Sequence, residues 1–222
     1  MKQPPMIAPS ILSANFAKLG EEVNAVLAAG AGIIHFDVMD NHFVPNLTIG
    51  PVVLKSLRKY GITADIDVHL MVEPVDRLVE DFIKAGATII NFHPETTQNV
   101  KRLITLCKQN NVKVGLVLNP DKPLDLISEY LADMDTLLLM TVFPGFGGQA
   151  FIPDVLTKIA KARDMIDQIN KPIRLKVDGG IKTTNIADVS RHGADTFIAG
   201  SAIFESKDYK QVIQEMLEKA KI

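Results

Sequence analysis

Ile33-Ile34-His35-Phe36-Asp37-Val38-Met39 reads as a β-strand with two polar residues spaced two apart. Side chains alternate across a strand, so His35 and Asp37 share a face, with Met39 next in line. Two other runs share this pattern. Ile66-Asp67-Val68-His69-Leu70-Met71 places His69 on the same face as Met71. Ile173-Arg174-Leu175-Lys176-Val177-Asp178 delivers Asp178 just before Gly179-Gly180. Each strand thus presents a polar group at or near its C-terminal end.

Strand-like and helix-like segments alternate outward from these runs. A first strand is expected over Met6 to Leu12, followed by helix from Asn15 to Ala29. Gly50 to Tyr60 reads as helix and Asp65 to Met71 as the third strand. Val75 to Ala85 is helical, with Pro74 favourable near its start. Further strands follow over Ile89 to His93, Lys113 to Asn119, Thr136 to Val142, Arg174 to Asp178 and Thr196 to Gly200. Tyr209 to Ala220 closes the chain as an amphipathic helix, with Val212, Ile213, Met216 and Leu217 on one face. Several helices stop at glycine before the next strand, at Gly30, Gly86 and Gly193. Glycine accepts the left-handed conformation of a helix C-terminus without a Cβ penalty.

A βα unit repeated eight times in 222 residues predicts an α/β protein, a single (β/α)8 TIM barrel spanning residues 1–222. A doubly wound open sheet would favour a glycine-rich turn after the first strand. Ser10-Ile11-Leu12-Ser13 has no glycine. Hydrophobic content of 47% fits strands buried on both faces. A net charge of −2 gives no reason to expect nucleic acid or an anionic membrane as a partner. No apolar run reaches the ~18 residues that span a bilayer, and Met1-Lys2-Gln3-Pro4-Pro5 lacks the apolar stretch of a signal peptide. The expectation is a cytoplasmic protein. Lone Cys107 fits a reducing compartment and reads as a core filler. Helix patterns on a barrel do not separate core faces from subunit contacts, so a homo-oligomer is compatible with the sequence.

In a barrel, catalytic side chains project from the C-terminal ends of strands. His35, Asp37, His69 and Asp178 could then converge, as a metal site or as a carboxylate pair for proton transfer. Two imidazoles with two carboxylates favour zinc, iron(II), manganese or cobalt over ions that prefer all-oxygen shells. His93 ends a strand too, and a supporting role is expected for it. Glycines cluster after the last three strands, in Pro144-Gly145-Phe146-Gly147-Gly148-Gln149, Gly179-Gly180 and Gly200-Ser201. Their backbone N–H groups can ring an anion, which predicts a phosphate grip. A metal, two acids and a phosphate grip point to proton transfer beside a carbonyl.

Longer motifs carry a resemblance. They are Ala8-Pro9-Ser10-Ile11-Leu12-Ser13, His35-Phe36-Asp37-Val38-Met39-Asp40, His42-Phe43-Val44-Pro45-Asn46, Asp67-Val68-His69-Leu70-Met71, Pro144 to Gln149, Val177-Asp178-Gly179-Gly180 and Ala199-Gly200-Ser201-Ala202-Ile203-Phe204. Over essentially its whole length the chain resembles the ribulose-phosphate 3-epimerases of the pentose phosphate pathway. The resemblance implies interconversion of D-ribulose 5-phosphate and D-xylulose 5-phosphate, sugar phosphates being the partners. It makes Asp37 and Asp178 the acid/base pair, and His35, Asp37, His69 and Asp178 the ligands of one divalent ion. It places Ser10 and His69 against the substrate. It gives the phosphate end to Gly145, Phe146, Gly147, Gly148, Gly179, Gly180, Gly200 and Ser201. Met39, Met71 and Met140 would line the site with polarisable sulfur. The chain departs from the family's usual residues at Asn41, Thr141 and Phe143, where Gly, Ser and Asn are frequent. Lys176 is another departure. It shares parity with Asp178 and should point into the barrel, where a lysine needs a partner. Asp67, of matching parity, is the expected one. The rivals are an epimerase of a ketohexose 6-phosphate and a phosphate-binding barrel lyase, which would want a lysine at a strand end.

Overall fold

The computed structural model describes residues 2–221. Eight strands run parallel: β1 Met6–Pro9, β2 Ile34–Met39, β3 Ile66–Met71, β4 Ile89–Phe92, β5 Lys113–Leu118, β6 Thr136–Met140, β7 Arg174–Asp178 and β8 Thr196–Ala199. Their hydrogen-bonded order is β1-β8-β7-β6-β5-β4-β3-β2. A single parallel bridge, Ser10 to His35, joins the two ends of this sheet. The result is a nearly closed barrel, as expected.

The helices are α1 Leu19–Ala28, α2 Pro51–Tyr60, α3 Asp76–Ala85, α4 Val100–Gln109, α5 Val155–Ile169, α6 Ile186–Arg191, α7 Ser201–Phe204 and α8 Tyr209–Ala220. The βα repeat is not uniform. Between β5 and β6 the chain makes only two 3-10 turns, Leu124–Ile127 and Leu131–Asp133. Pro120 and Pro123 stand in this connection, and a proline cannot continue a helix from its interior. The last β-strand is instead followed by both α7 and α8.

Other boundaries shift for local reasons. β1 stops at Pro9 rather than Leu12. Ser10 caps a 3-10 turn over Ile11–Ser13, its side chain accepting from the Leu12 N–H. The helix expected from Asn15 begins with a separate 3-10 turn, which Asn15 caps at Ala17. The glycine stops hold: Gly30, Gly86 and Gly193 have φ of 107°, 100° and 112°.

Two apolar layers flank the strands. The larger lies between strands and helices and includes Ile7, Phe36, Val68, Phe92 and Phe197. The smaller fills the barrel with Ala8, Val117, Leu138, Met140 and Ile198. Cys107 belongs to the outer layer, and burial pushes its thiol up to about 12, so it is a neutral filler. The lower interior is polar, with Asp67, Asn91, Thr136 and Lys176 all buried.

Candidate active site

Strand register brings the inward side chains together. His35 pairs with Asp67 across β2 and β3, Asp37 with His69, and Met39 with Met71. On the far side Met140 pairs with Asp178. One ligand-type atom from each of His35, Asp37, His69 and Asp178 lies within 4.8 Å of all the others. His35 Nε2 is 3.2 Å from Asp37 Oδ1 and 3.8 Å from Asp178 Oδ2. His69 Nδ1 is 3.1 Å from Asp37 Oδ1 and 3.8 Å from Asp178 Oδ2. The two imidazoles are fully buried, whereas the Asp178 side chain is 15% exposed. The four residues singled out by sequence therefore meet at one point.

Each ring has a second anchor. His35 Nδ1 is 2.9 Å from Asp67 Oδ2, and His69 Nε2 is 3.0 Å from His93 Nε2. His93 is buried, and its ring lies 4.8 Å from that of Phe43, tilted by 50°. The link from Asp67 to His35 was not read from the sequence, although both residues lie on inward strand positions. Lys176 is completely buried and donates to Asp67 Oδ1 at 2.6 Å, the partner expected from parity.

The arrangement fits a divalent cation. His35 Nε2 is buried and has no hydrogen-bond partner, since its 3.2 Å approach to Asp37 is not aligned as one. A buried nitrogen of this kind wants a proton acceptor or an ion. Both imidazoles already have a partner on their far nitrogen, the usual setting of a metal-bound histidine.

The charges are far from their ordinary states. Burial opposes ionisation of Asp37, but the neighbouring His35 and His69 overcome it and hold its carboxyl well below the usual range. Burial would lower His35, yet Asp37 and Asp67 win and raise it to about 10. His69 moves down, because burial outweighs its bond to Asp37. Asp178 is pushed up to about 7 by burial and then by the negative charge of Asp37. Two carboxylates at one site with pKa values driven apart form an acid/base pattern.

Above this floor opens a cleft. It is lined by Ser10, Asp37, Met39, Met71, Met140 and Asp178. Gly145, Phe146, Gly147, Gly148, Gly179, Gly180, Gly200 and Ser201 line it as well, all expected from the sequence. Ser10 Oγ donates to Asp37 Oδ2 at 2.5 Å. His69 is fully buried, with its Nδ1 3.1 Å from the cleft-lining Asp37. Lys182 does line the cleft and was not singled out, although it follows Gly179-Gly180 closely in sequence. Lys176 is fully buried and is not among the residues that line the cleft.

Two glycines are required by their surroundings. A Cβ on Gly180, at φ 65°, would lie 2.4 Å from the Phe151 backbone nitrogen. One on Gly200 would lie 2.6 Å from Ser13 Oγ. The loop over residues 143–149 is tied across the mouth, where Asn46 Nδ2 donates to the Gly145 carbonyl at 2.8 Å. The Phe143 side chain is 54% exposed and only its carbonyl is held, by Gln149.

Comparison with known proteins agrees with this geometry. The sequence model of the ribulose-phosphate 3 epimerase family matches residues 6–204. The chain belongs to that family. It is 60% identical over 211 residues to a ribulose-phosphate 3-epimerase of Escherichia coli strain K12, covering 95% of this chain and 94% of the relative. A ribulose-phosphate 3-epimerase of Serratia marcescens is 58% identical over 206 residues, 93% of this chain and 98% of that one. Among solved structures, 3-keto-L-gulonate-6-phosphate decarboxylase from Vibrio cholerae superposes with a TM-score of 0.74 over 98% of each chain. At 14% identity that likeness concerns the barrel alone. No helix among the described residues is long and apolar enough to cross a membrane.

Proposed function

We propose that this member of the ribulose-phosphate 3-epimerase family inverts C3 of a ketopentose phosphate, interconverting D-ribulose 5-phosphate and D-xylulose 5-phosphate. The chain would act as one catalytic barrel over residues 1–222. The observation that carries the reading is the closeness of Asp37 and Asp178 in a cleft that glycine-rich loops also line.

Asp37, ionised through its imidazole neighbours, is suited to take the C3 proton. Asp178, held up near neutrality, is suited to hold one and return it on the other face. The reverse reaction exchanges the two roles. Ser10, bonded to Asp37, steadies that carboxylate and lies where a substrate hydroxyl would come. Met39, Met71 and Met140 keep competing proton donors away from the carbanionic carbon. The phosphate would lie against backbone N–H groups of Gly145 to Gly148, Gly179-Gly180 and Gly200-Ser201, with Lys182 at the rim.

His35, Asp37, His69 and Asp178 would hold a divalent ion such as zinc, iron(II), manganese or cobalt. When bound, the ion supplies positive charge that eases loss of a proton beside the carbonyl. The free, buried Cys107 supports a reducing, cytoplasmic setting.

The test is hydrogen exchange at C3 of ribulose 5-phosphate in heavy water, comparing Asp37→Asn with Asp178→Asn. Each variant is expected to abolish epimerisation, since each acid serves one face. Substantial turnover by either one would refute the two-acid assignment. Metal analysis of protein purified without added ions tests the cation, and relative turnover of pentulose and hexulose phosphates tests the substrate.

A further inference from the structure

A chain of buried polar groups runs beneath the site and is not used by the mechanism above. Lys176 Nζ donates to Asp67 Oδ1 at 2.6 Å. Asn91 Nδ2 donates to the same oxygen at 2.6 Å, and Thr136 Oγ1 donates to Asn91 Oδ1 at 2.7 Å. The other oxygen of Asp67 meets His35 Nδ1 at 2.9 Å. Five strands contribute, counting His35 itself, and none of these side chains is more than 2% exposed. The space is reserved. A Cβ on Gly115 would lie 2.1 Å from Thr136 Oγ1 and 2.7 Å from Asn91 Oδ1.

Such a network needs a reason beyond stability. A buried ion pair commonly adds no more than apolar residues of the same volume would. Here one end of the chain is a ring whose Nε2 points, without a hydrogen bond, at Asp37 and Asp178. Rotating that ring by half a turn would put carbon against Asp67 and lose the 2.9 Å contact.

We propose that Lys176 and Asp67 are positioning residues for the metal site, a buried pair that fixes the ring of His35 with Nε2 presented to the ion. Asp67 sets the orientation and the tautomer by accepting the Nδ1–H. Lys176, with Asn91, holds that carboxylate still and balances its charge. The positive charge of the ion then remains matched to Asp37 and Asp178 alone. This inference rests on the metal reading given above.

The experiment measures cobalt(II) binding to metal-free protein by visible absorption, together with thermal unfolding without metal. The proteins are the unmodified chain, Asp67→Asn, and the double variant Asp67→Asn with Lys176→Met, which removes both charges at once. The double variant is expected to melt close to the unmodified chain. It should bind cobalt about 10- to 100-fold more weakly and with an altered absorption band, as when a carboxylate behind a metal-bound histidine is lost. Unchanged affinity and spectrum in a folded double variant would overturn the proposal and leave the metal reading intact. Failure of the unmodified chain to bind cobalt would strike the metal reading itself. A second measurement needs no variant: nitrogen NMR of the zinc-loaded protein should show His35 protonated at Nδ1. Protonation at Nε2 would overturn the proposal even if the variants do not fold.

Discussion

The two ends of the barrel each bury a carboxylate, and they treat it in opposite ways. At the base Asp195 is fully buried and accepts from Arg163 at 2.9 Å and Thr196 at 3.0 Å, with Arg174 3.5 Å away. Fixed cations from α5 and β7 surround it. At the mouth Asp37 and Asp178 face two imidazoles, and no lysine or arginine bonds to either among the described residues. Asp195 is balanced by groups that never leave. Asp37 and Asp178 are balanced only in part, so their charge remains available to an ion and a substrate. The difference separates a charge that holds the fold from charges suited to chemistry.

The largest expected effect would come from Asp178→Asn, which should abolish epimerisation, a loss of at least about 10⁴-fold, at the upper end for a lost acid/base group. The same change should stabilise the metal-free protein. Asp178 is held at about 7 when folded, well above the ordinary carboxylate range. Stability that its proton contributes is present at low pH and is lost as pH rises toward 7. At pH 8 the full penalty stands, and removing it should gain about 1–3 kcal/mol, discounted because the group reaches water. A urea melt showing lower stability would break the contrast with the base. There, Asp195→Asn should cost about 3–5 kcal/mol, because it takes the buried carboxylate away from Arg163. Turnover per folded molecule should not change; a fall in kcat would show that the base takes part in catalysis.

Cation binding sharpens the contrast further. His35 is raised to about 10 in the metal-free state by Asp37 and Asp67, against the pull of burial. The ion must displace that proton, so affinity should rise about tenfold per pH unit between roughly pH 7 and 9. Chelator competition at several pH values measures this, and a flat profile would contradict it. Gly200→Ala is a smaller test. Its Cβ would press on Ser13, displacing a wall of the cleft, and KM for the sugar phosphate should rise about tenfold. Cys107→Ala should do least: about 1 kcal/mol of stability and no change in kcat, since the thiol only fills space.

Much of this was legible in the chain because strand parity is strict. Alternation alone put His35 and Asp37 on one face and paired Lys176 with Asp67. Glycine stops marked helix ends because few other residues adopt a positive φ there. Asn91 shared that inward parity and went unremarked, since a lone asparagine in a strand carries no chemical signature. The missing helix between β5 and β6 was equally hard to see. Its prolines forbid a long helix but leave the 3-10 alternative open.

Local pattern therefore settled which residues face the barrel interior and that eight strands would do so. Distances across the barrel were another matter. Strand seven is remote from strand two in the chain, and no sequence period encodes their separation. Closure and shear of the sheet placed Asp178 beside Asp37 and brought both imidazoles within reach of the pair. They also left His35 Nε2 buried without a hydrogen-bond partner.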